Sequence, residues 1–513
     1  MRTLITADHV LAHDGSGHVE LRDGAVLVVD GRVVAVGPAR ELVSEANGEV
    51  DEHIALGESL LMPGLIDLDA LADIDHLILD SWSDAPESAR LEWSAAYFAD
   101  GRHDVLDAAE RSTMRRYALT QLALHGITSL MPIASEVHSA WAETHDDLAD
   151  VARIASELGL RAFLGPSYRS GVHVTDDDGI SSVAWNDDEG RRGFAEAVRF
   201  LDTVTALDDP LITGVLAPCR IETVREELLA ATARESAARG ALVRVHALQG
   251  LDERALILAD HGITPMQLLD RAGLLTDRTI IAHGVYLGLH SEVDGEDCGD
   301  LAALAAAGAS IIHCPLTNNR YAFLLERLSR YLDAGVNVSL GTDSFPPDLI
   351  RGIDAGVQLA KQQHGDLSRG LLAEYIEAAT LGGARALHRP DLGRIAPGAT
   401  ADLVAFALDD LRLGPVEDPL RTLVLSGTGR DARFSMVGGR VVMRDGVIPG
   451  VDVAALRREG QRIFEKLRAA YGERDYRVHS AGVLPDAAGE LFPPVFPVVG
   501  TSVLETPATG SLG

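Results

Sequence analysis

Leu242-Val243-Arg244-Val245-His246, Thr279-Ile280-Ile281-Ala282-His283, Ser310-Ile311-Ile312-His313 and Val336-Asn337-Val338-Ser339-Leu340-Gly341-Thr342-Asp343 are four apolar, strand-like runs. Each ends in a side chain able to bind a metal or move a proton. The end residues are spaced by 283 − 246 = 37, 313 − 283 = 30 and 343 − 313 = 30 positions, roughly one strand-plus-helix unit per step. Ala/Leu/Glu/Arg-rich stretches with helical character alternate with such runs over most of the chain: Val198–Thr205, Glu226–Arg239, Arg254–Asp260, Asp300–Ala307 and Leu371–Leu387. This alternation predicts an α/β fold with a parallel sheet. A reactive residue closing each successive strand predicts a (β/α)8 TIM-type barrel, whose active site occupies the C-terminal strand ends; a doubly wound sheet would gather its ligand at one crevice.

Outside the alternating middle, both ends read as strands and turns. Ala25–Val29 and Arg32–Val36 flank Asp30-Gly31, a two-residue hairpin signal. Asp402–Phe406, Thr422–Leu425, Phe434–Val437 and Arg440–Met443 read as strands, with Gly438-Gly439 turning the last pair. The pattern predicts a small composite β-sandwich built from both termini. The expected divisions are an N-terminal β part over 1–62, the catalytic barrel over 63–388, a C-terminal β part over 389–450, and a helix with a proline-rich tail over 451–513. Residues 174–192, with Asp176-Asp177-Asp178 and Asp187-Asp188-Glu189, read as a solvated acidic loop.

Composition excludes several function classes. The chain of 513 residues carries 45 Lys+Arg against 77 Asp+Glu, a formal charge of −32, which opposes binding to nucleic acid and to anionic lipid. Runs such as Gly24–Val29 and Ala303–Ile312 are too short or too interrupted to span a bilayer, and the first residues lack the apolar core of a signal peptide. Cys219, Cys298 and Cys314 are too widely spaced for a disulfide framework or a zinc knuckle. A cytoplasmic protein is expected. Gly427-Thr428-Gly429-Arg430-Asp431-Ala432 fits a dinucleotide fingerprint, but a strand rather than a helix is expected after it, so the anion-binding helix start is missing.

Histidine and aspartate at strand ends are ligands for zinc, manganese or iron. Around them the sequence resembles the amidohydrolase superfamily, in its chlorohydrolase and nucleobase-deaminase branch. Met62-Pro63-Gly64-Leu65-Ile66-Asp67 looks like that family's entry into the first barrel strand. Ala217-Pro218-Cys219, His246-Ala247, Ala282-His283-Gly284, His313-Cys314-Pro315-Leu316-Thr317-Asn318 and Gly341-Thr342-Asp343-Ser344 follow in the family's order. Ala378–Ala386 and Gly393–Leu403 resemble its exit from the barrel. The resemblance spans residues 1 to about 450 and implies a metal-dependent barrel that hydrolyses a C–N bond of a cyclic amide, amidine or aminated heterocycle.

Three departures modify what the resemblance implies. The first-strand His-x-His is replaced by Asp69 and Leu71, and His76 lies past the strand end. The fifth-strand His-x-x-Glu is His246-Ala247-Leu248-Gln249, and glutamine can orient a substrate but not carry a proton at neutral pH. The only lysines, Lys361 and Lys466, follow the last catalytic strand, so no carboxylated lysine bridges two metals. The resemblance therefore implies one divalent ion, zinc with manganese or iron as alternatives, held by His246, His283, Asp343 and Asp69. Asp343 and His283 are the expected catalytic pair, Asp343 moving a proton from water to the leaving nitrogen. Gln249, His313, Asn318, Tyr168, Arg169 and Cys219 are the expected substrate-binding residues, with Tyr168 and Arg169 clamping an anionic group. A small-molecule substrate and a homodimer are implied. Two other readings stay open: a metal-independent lyase, decarboxylase or isomerase on the same barrel, and a non-catalytic paralogue that binds a ligand or partner.

Overall fold

The computed structural model describes residues 1–46, 48–74, 93–134, 139–293, 298–365, 367–368 and 370–476. His76 and the proline-rich tail after Tyr476 lie outside the described residues. The N-terminal strands are β1 (Arg2–His13), β2 (His18–Val29), β3 (Arg32–Pro38), β4 (Glu52–Ala55) and β5 (Ser59–Pro63). The middle carries β6 (Leu65–Leu71), β7 (Ile127–Ile133), β8 (Arg161–Leu164), β9 (Ser167–Tyr168), β10 (Gly171–Thr175), β11 (Ser181–Trp185), β12 (Ile212–Gly214), β13 (Ala217–Pro218), β14 (Val243–Ala247), β15 (Thr279–His283), β16 (Ser310–His313) and β17 (Asn337–Leu340). The last strands are β18 (Leu403–Ala407), β19 (Ala432–Val437) and β20 (Arg440–Arg444).

The terminal strands form one eight-stranded sheet, ordered β20-β19-β18-β5-β1-β2-β3 with β4 beside β1. The expected composite is present, hydrogen-bonded as one curled sheet rather than two stacked ones. Its two hairpin turns explain the curl. Asp30 and Gly31 (φ 48 and 80) and Gly438 and Gly439 (φ 55 and 81) are left-handed at both positions, the backbone of two-residue turns that match strand twist. The turns touch: a Cβ on Gly439 would lie 2.7 Å from the Gly31 Cα. Between them the Ala401 amide donates to the Gly31 carbonyl (2.9 Å), and the Gly439 amide donates to that of Ala401 (3.2 Å). Ile5, Val26, Val33, Ile54, Leu61, Leu403, Phe434 and Met436 then share one buried interior.

The middle holds two four-stranded parallel sheets, β6-β7-β8-β12 and β14-β15-β16-β17, with β9 and β13 paired beyond β8 and β12. An isolated parallel bridge, Leu216 to Val243, links one sheet to the other. At the opposite edges the Asp343 amide donates to the Asp69 carbonyl at 2.8 Å. Side chains alternate along most of these strands, with register shifts on β6. Ile66, Met131, Phe163, Val215, Leu242, Ile280 and Ile312 share one inner cluster, while Leu65, Leu130, Ala162, Leu216, Val243, Ile281 and Ile311 pack outward in the main core. Helices follow the strands, among them Ala108–Leu124, His145–Leu158, Glu226–Arg239, Asp300–Ala307 and Leu349–His364.

Two local expectations are corrected. Thr422–Leu425 lies in the helix Pro419–Ser426. Asp418 caps its start by accepting from the Arg421 amide (2.8 Å), and Pro419 occupies the first turn, where its missing N–H costs nothing. Residues 174–192 are a β10–β11 hairpin followed by the start of the helix Asp187–Leu207. Asp187, Asp188 and Glu189 occupy its first turn, where the helix dipole favours negative charge.

A buried ion pair joins the sheet to the parallel strands. Arg161, on β8, donates through Nε to Asp402 Oδ2 (2.8 Å) and through a terminal nitrogen to Oδ1 (3.2 Å). Asp402 Oδ1 also accepts from the Gly438 amide at 2.7 Å.

Candidate active site

The C-terminal ends of β6 and β17 are stapled by Asp67. Its carboxylate accepts from the Thr342 amide (3.0 Å), the Thr342 hydroxyl (2.6 Å) and the Asp69 amide (3.2 Å). Complete burial pushes its pKa up to about 6, against those hydrogen bonds. Leu248, His283 and Asp343 adopt left-handed backbone (φ 61, 74 and 44), a conformation costing about 1–3 kcal/mol at a non-glycine residue and found where side chains must be re-aimed. Each lies at or just past the end of a strand.

His283 and Asp343 meet two further side chains. Asp69, His283, Cys314 and Asp343 each bring a ligand atom within 4.8 Å of the others. His283 Nε2 lies 3.9 Å from Asp69 Oδ2 and 3.8 Å from Asp343 Oδ2, and Cys314 Sγ lies 3.7 Å from the same Asp69 oxygen. His283 is buried beside the Asn318 side chain. Burial first, then the charge of Arg220, lowers its pKa to about 3, so the imidazole is neutral with its lone pair available. One imidazole nitrogen, two carboxylates and a thiol are a donor set that fits zinc.

Asp69 divides its two oxygens. Oδ2 faces His283 and Cys314. Oδ1 faces Arg244 (3.4 Å) and His246 Nε2 (3.6 Å). The Arg244 guanidinium also donates to the Met131 carbonyl at 3.0 Å, and His246 Nδ1 pairs with the Cys219 carbonyl at 2.8 Å, leaving Nε2 toward the carboxylate.

Residues 60–442 match the Amidohydrolase family profile. The chain belongs to the amidohydrolase family. Among curated relatives, the 5-methylthioadenosine/S-adenosylhomocysteine deaminase of Halobacterium salinarum is 30% identical over 476 residues, covering 89% of this chain and 100% of the relative. The 8-oxoguanine deaminase of Pseudomonas aeruginosa is 28% identical over 445 residues, covering 84% and 92%. Two solved structures share the fold. An adenosine deaminase from Xanthomonas campestris with bound zinc aligns with a TM-score of 0.72 at 24% identity, covering 91% of this chain and 98% of that one. A mutant atrazine chlorohydrolase from Arthrobacter aurescens, complexed with zinc and atraton, aligns with a TM-score of 0.74 at 21% identity, covering 90% and 100%. The relatives named as deaminases are hydrolases of carbon–nitrogen bonds other than peptide bonds.

Among the described residues of this amidohydrolase, two cavities include residues expected at the site in their lining. One is lined by Ile133, Glu143, Ser167, Arg169, Cys219 and His246. Glu143 fixes its wall by accepting from the Ala134 and Ser167 amides (2.6 and 2.7 Å). Arg169 Nε donates to the Trp141 carbonyl (2.8 Å), and the Trp141 indole donates back to the Arg169 carbonyl (3.0 Å). The other cavity includes His313, Asn318, Phe323, Leu328 and Tyr375 in its lining. Gln249 Oε1 accepts from Arg220, and the buried Glu253 accepts from the Leu248 and Gln249 amides (2.6 and 3.0 Å). Tyr168 is not brought to the site: its buried hydroxyl pairs with Thr232 Oγ1 at 2.6 Å and its ring packs on Phe194.

Cys314 and Arg244 are the central residues that sequence reasoning gave no role. Period-two alternation carried the signal for both. Ile312 and Cys314 share the inner face with Ala282 and Leu68, and a cation two residues before His246 on one strand must face the same interior.

Proposed function

We propose that this amidohydrolase hydrolyses a C–N bond of a small cyclic molecule, an aminated heterocycle, cyclic amide or amidine, and that its two parallel sheets close into one (β/α)8 barrel. The inner cluster of seven residues, the Leu216–Val243 bridge and the Asp343–Asp69 backbone bond support closure. The observation that carries the reaction is the convergence of Asp69, His283, Cys314 and Asp343 from four strand ends.

Those residues would hold one divalent ion, with zinc suited to the nitrogen, oxygen and sulfur donors. Such an ion supplies Lewis-acid activation of water and of the substrate's scissile carbon. Asp343 is the more exposed of the two carboxylates (side chain 11% against 0% for Asp69), so it meets substrate and water. It takes the proton from the attacking water and returns it to the leaving nitrogen as oxygen bonds to carbon and the C–N bond breaks. Gln249, held by Arg220, offers an amide to the substrate and carries no proton. Arg169, Cys219 and His246 line one of the two cavities, and His313 with Asn318 the other. A cytoplasmic location and a homodimer belong to the same proposal. Among the described residues no helix is long and apolar enough to cross a membrane.

The Arg244 guanidinium beside Asp69 favours a second reading, acid–base chemistry in which a fixed positive charge stands where the family uses a metal. One experiment separates the two. Zinc-loaded and chelator-treated protein are offered 5′-methylthioadenosine, S-adenosylhomocysteine, 8-oxoguanine, aminotriazines and cyclic amides, and ammonia or ring-opened acid is measured. The proposal expects turnover that depends on added metal and falls about 10²–10⁴-fold in Asp343→Asn. Metal-independent turnover supports the second reading. No turnover by either form on any member of the panel overturns hydrolysis.

A further inference from the structure

We infer, taking the cavity beside Cys219 and His246 as the substrate pocket, that a segment close to the C-terminus completes that pocket. Arg474 and Asp475 are positioning residues that hold the pocket's Arg169 wall through Trp93, Phe98 and Trp141. None of these five belongs to a strand of the parallel sheets, so strand packing alone does not fix them.

The link begins with backbone pairing. Trp93 bridges Asp475 in antiparallel register, and Ser94 bridges Thr175, the last residue of β10, in parallel register. The Ser94 amide donates to the Arg474 carbonyl (2.8 Å) and the Thr175 amide to the Trp93 carbonyl (2.7 Å). Residues 93 and 94 are therefore pinned from both sides. Side chains carry the link inward. The Arg474 guanidinium lies 5.7 Å from the ring centres of Trp93 and Tyr97, and that of Arg102 lies 4.7 Å from Trp93 and 4.9 Å from Phe98, all within cation–π range. Trp93 meets Phe98 edge-on at 5.8 Å, and Phe98 meets Trp141 edge-on at 6.1 Å, a preferred geometry for aromatic pairs. Trp141 and Arg169 close the series with their reciprocal bonds to each other's carbonyls (3.0 and 2.8 Å). Arg169 then lines the cavity.

An apolar route reaches the same cavity. Ile463 and Leu467, on the helix Val453–Ala470, and Tyr471 after it share one buried cluster with Leu71, Ile133 and Phe345. Leu71 ends β6, Ile133 ends β7, and Phe345 lies just past Asp343. Ile133 is itself part of the cavity lining. Leu71, standing where the resemblance has the second first-strand histidine, gives this cluster an apolar member. Two residues of one pocket are thus braced from the same segment, Ile133 by packing and Arg169 by the aromatic series. Arg474 and Asp475 are 2% and 0% exposed, which marks a docked segment rather than a fraying one.

The test reads the pocket through Cys219, which lines it and is 8% exposed. The full chain is treated with a small alkylating agent, and modification of the Cys219 peptide is followed by mass spectrometry. Arg474→Ala removes the first side-chain link and Trp141→Phe the indole bond to Arg169. Either should speed modification of Cys219 at least about tenfold by raising the locally open population. Arg474→Lys keeps a cation at the rings and should return the rate toward that of wild type. Arg161→Met, which breaks the sheet-to-strand ion pair instead, controls for general loosening. On any substrate the protein turns over, Arg474→Ala should raise KM with kcat within about twofold, as Arg474 touches no reacting group. Circular dichroism confirms folding, and Phe98→Leu replaces an Arg474 variant that misfolds. Wild-type rates in the folded variants, equal acceleration in Arg161→Met, or kcat falling as far as kcat/KM would overturn the inference. Alkylation needs neither metal nor turnover, so unchanged rates leave the hydrolysis reading standing, and a protein that turns over nothing still shows by its Cys219 rates whether this segment braces the cavity.

Discussion

Replacing Asp402 with asparagine should cost the protein about 3–5 kcal/mol, because it breaks a buried ion pair from one side. Arg161 and Asp402 are 5% and 3% exposed, and their two parallel bonds of 2.8 and 3.2 Å form a fork. Asparagine keeps one acceptor oxygen, so Arg161 loses one arm of the fork and its charge stays buried without compensation. Its remaining contact, to the Pro210 carbonyl at 3.0 Å, is a neutral acceptor. The oxygen that asparagine keeps cannot serve both Arg161 and the Gly438 amide as two carboxylate oxygens do. Arg161→Met should cost a similar amount, leaving Asp402 charged with the Gly438 amide. In the double variant neither charge is stranded, so its loss should fall short of the sum of the singles by about 2–3 kcal/mol, within the range of coupling between touching residues. The assay is urea unfolding followed by circular dichroism on all four proteins, extrapolated to water. Single variants within 1 kcal/mol of wild type, or strict additivity, would refute the claim that this pair clamps the curled sheet to the parallel strands.

Further outcomes follow from other contacts. His18 pairs with Thr380 Oγ1 at 2.9 Å, and burial, then the nearby His13, depresses its pKa from 6.5 to about 4. Its contribution is whole above pH 6.5 and is lost as the pH falls toward 4, so His18→Gln should remove about 2 kcal/mol of the stability change between pH 7 and pH 5; an unchanged pH profile would contradict this. Glu143→Gln leaves one carbonyl oxygen for two buried amides, and urea unfolding should show a loss of about 1–3 kcal/mol. Gly439→Ala forces a side chain at φ 81 against the Gly31 backbone and should cost a further 1–3 kcal/mol or so in the same assay, whereas a neutral substitution would mean that the turns do not touch.

How much was legible in the sequence varied with the kind of signal. His283 and Asp343 could be found because a polar residue closing an apolar run is conspicuous, and the 30-residue spacing of His283, His313 and Asp343 placed them on successive strands; Asp69 was reached only through the resemblance, as the residue in place of the first-strand His-x-His. Cys314 was hidden by its neighbour. Beside His313 it reads as one more small hydrophobe, and only the parity of Ile312 and Cys314 assigns it inward. His246 matched in position, but the choice between the two oxygens of Asp69 depends on side-chain torsions that no spacing encodes. Tyr168 ends the short strand β9 just after β8, yet its ring is apolar enough for the core, and Thr232 satisfies its hydroxyl there. The Thr422–Leu425 run misled for a local reason: Asp418-Pro419 is a helix start, and its cap outweighs the β preference of so short a run.

The curled sheet has a consequence for how the chain is made. The sheet pairs β5 with β18, and 403 − 63 = 340 residue positions separate the end of one from the start of the other. At about 5–20 residues per second, synthesis takes roughly 17–70 s to deliver the missing strand. Throughout that interval the Ser59–Pro63 edge, buried in the finished protein, has no β18 beside it on the nascent chain. A bare apolar edge recruits other strands. Ribosomes carrying this message in close file would hold several such edges at once, so the density of translation should govern how much of the protein reaches its folded form.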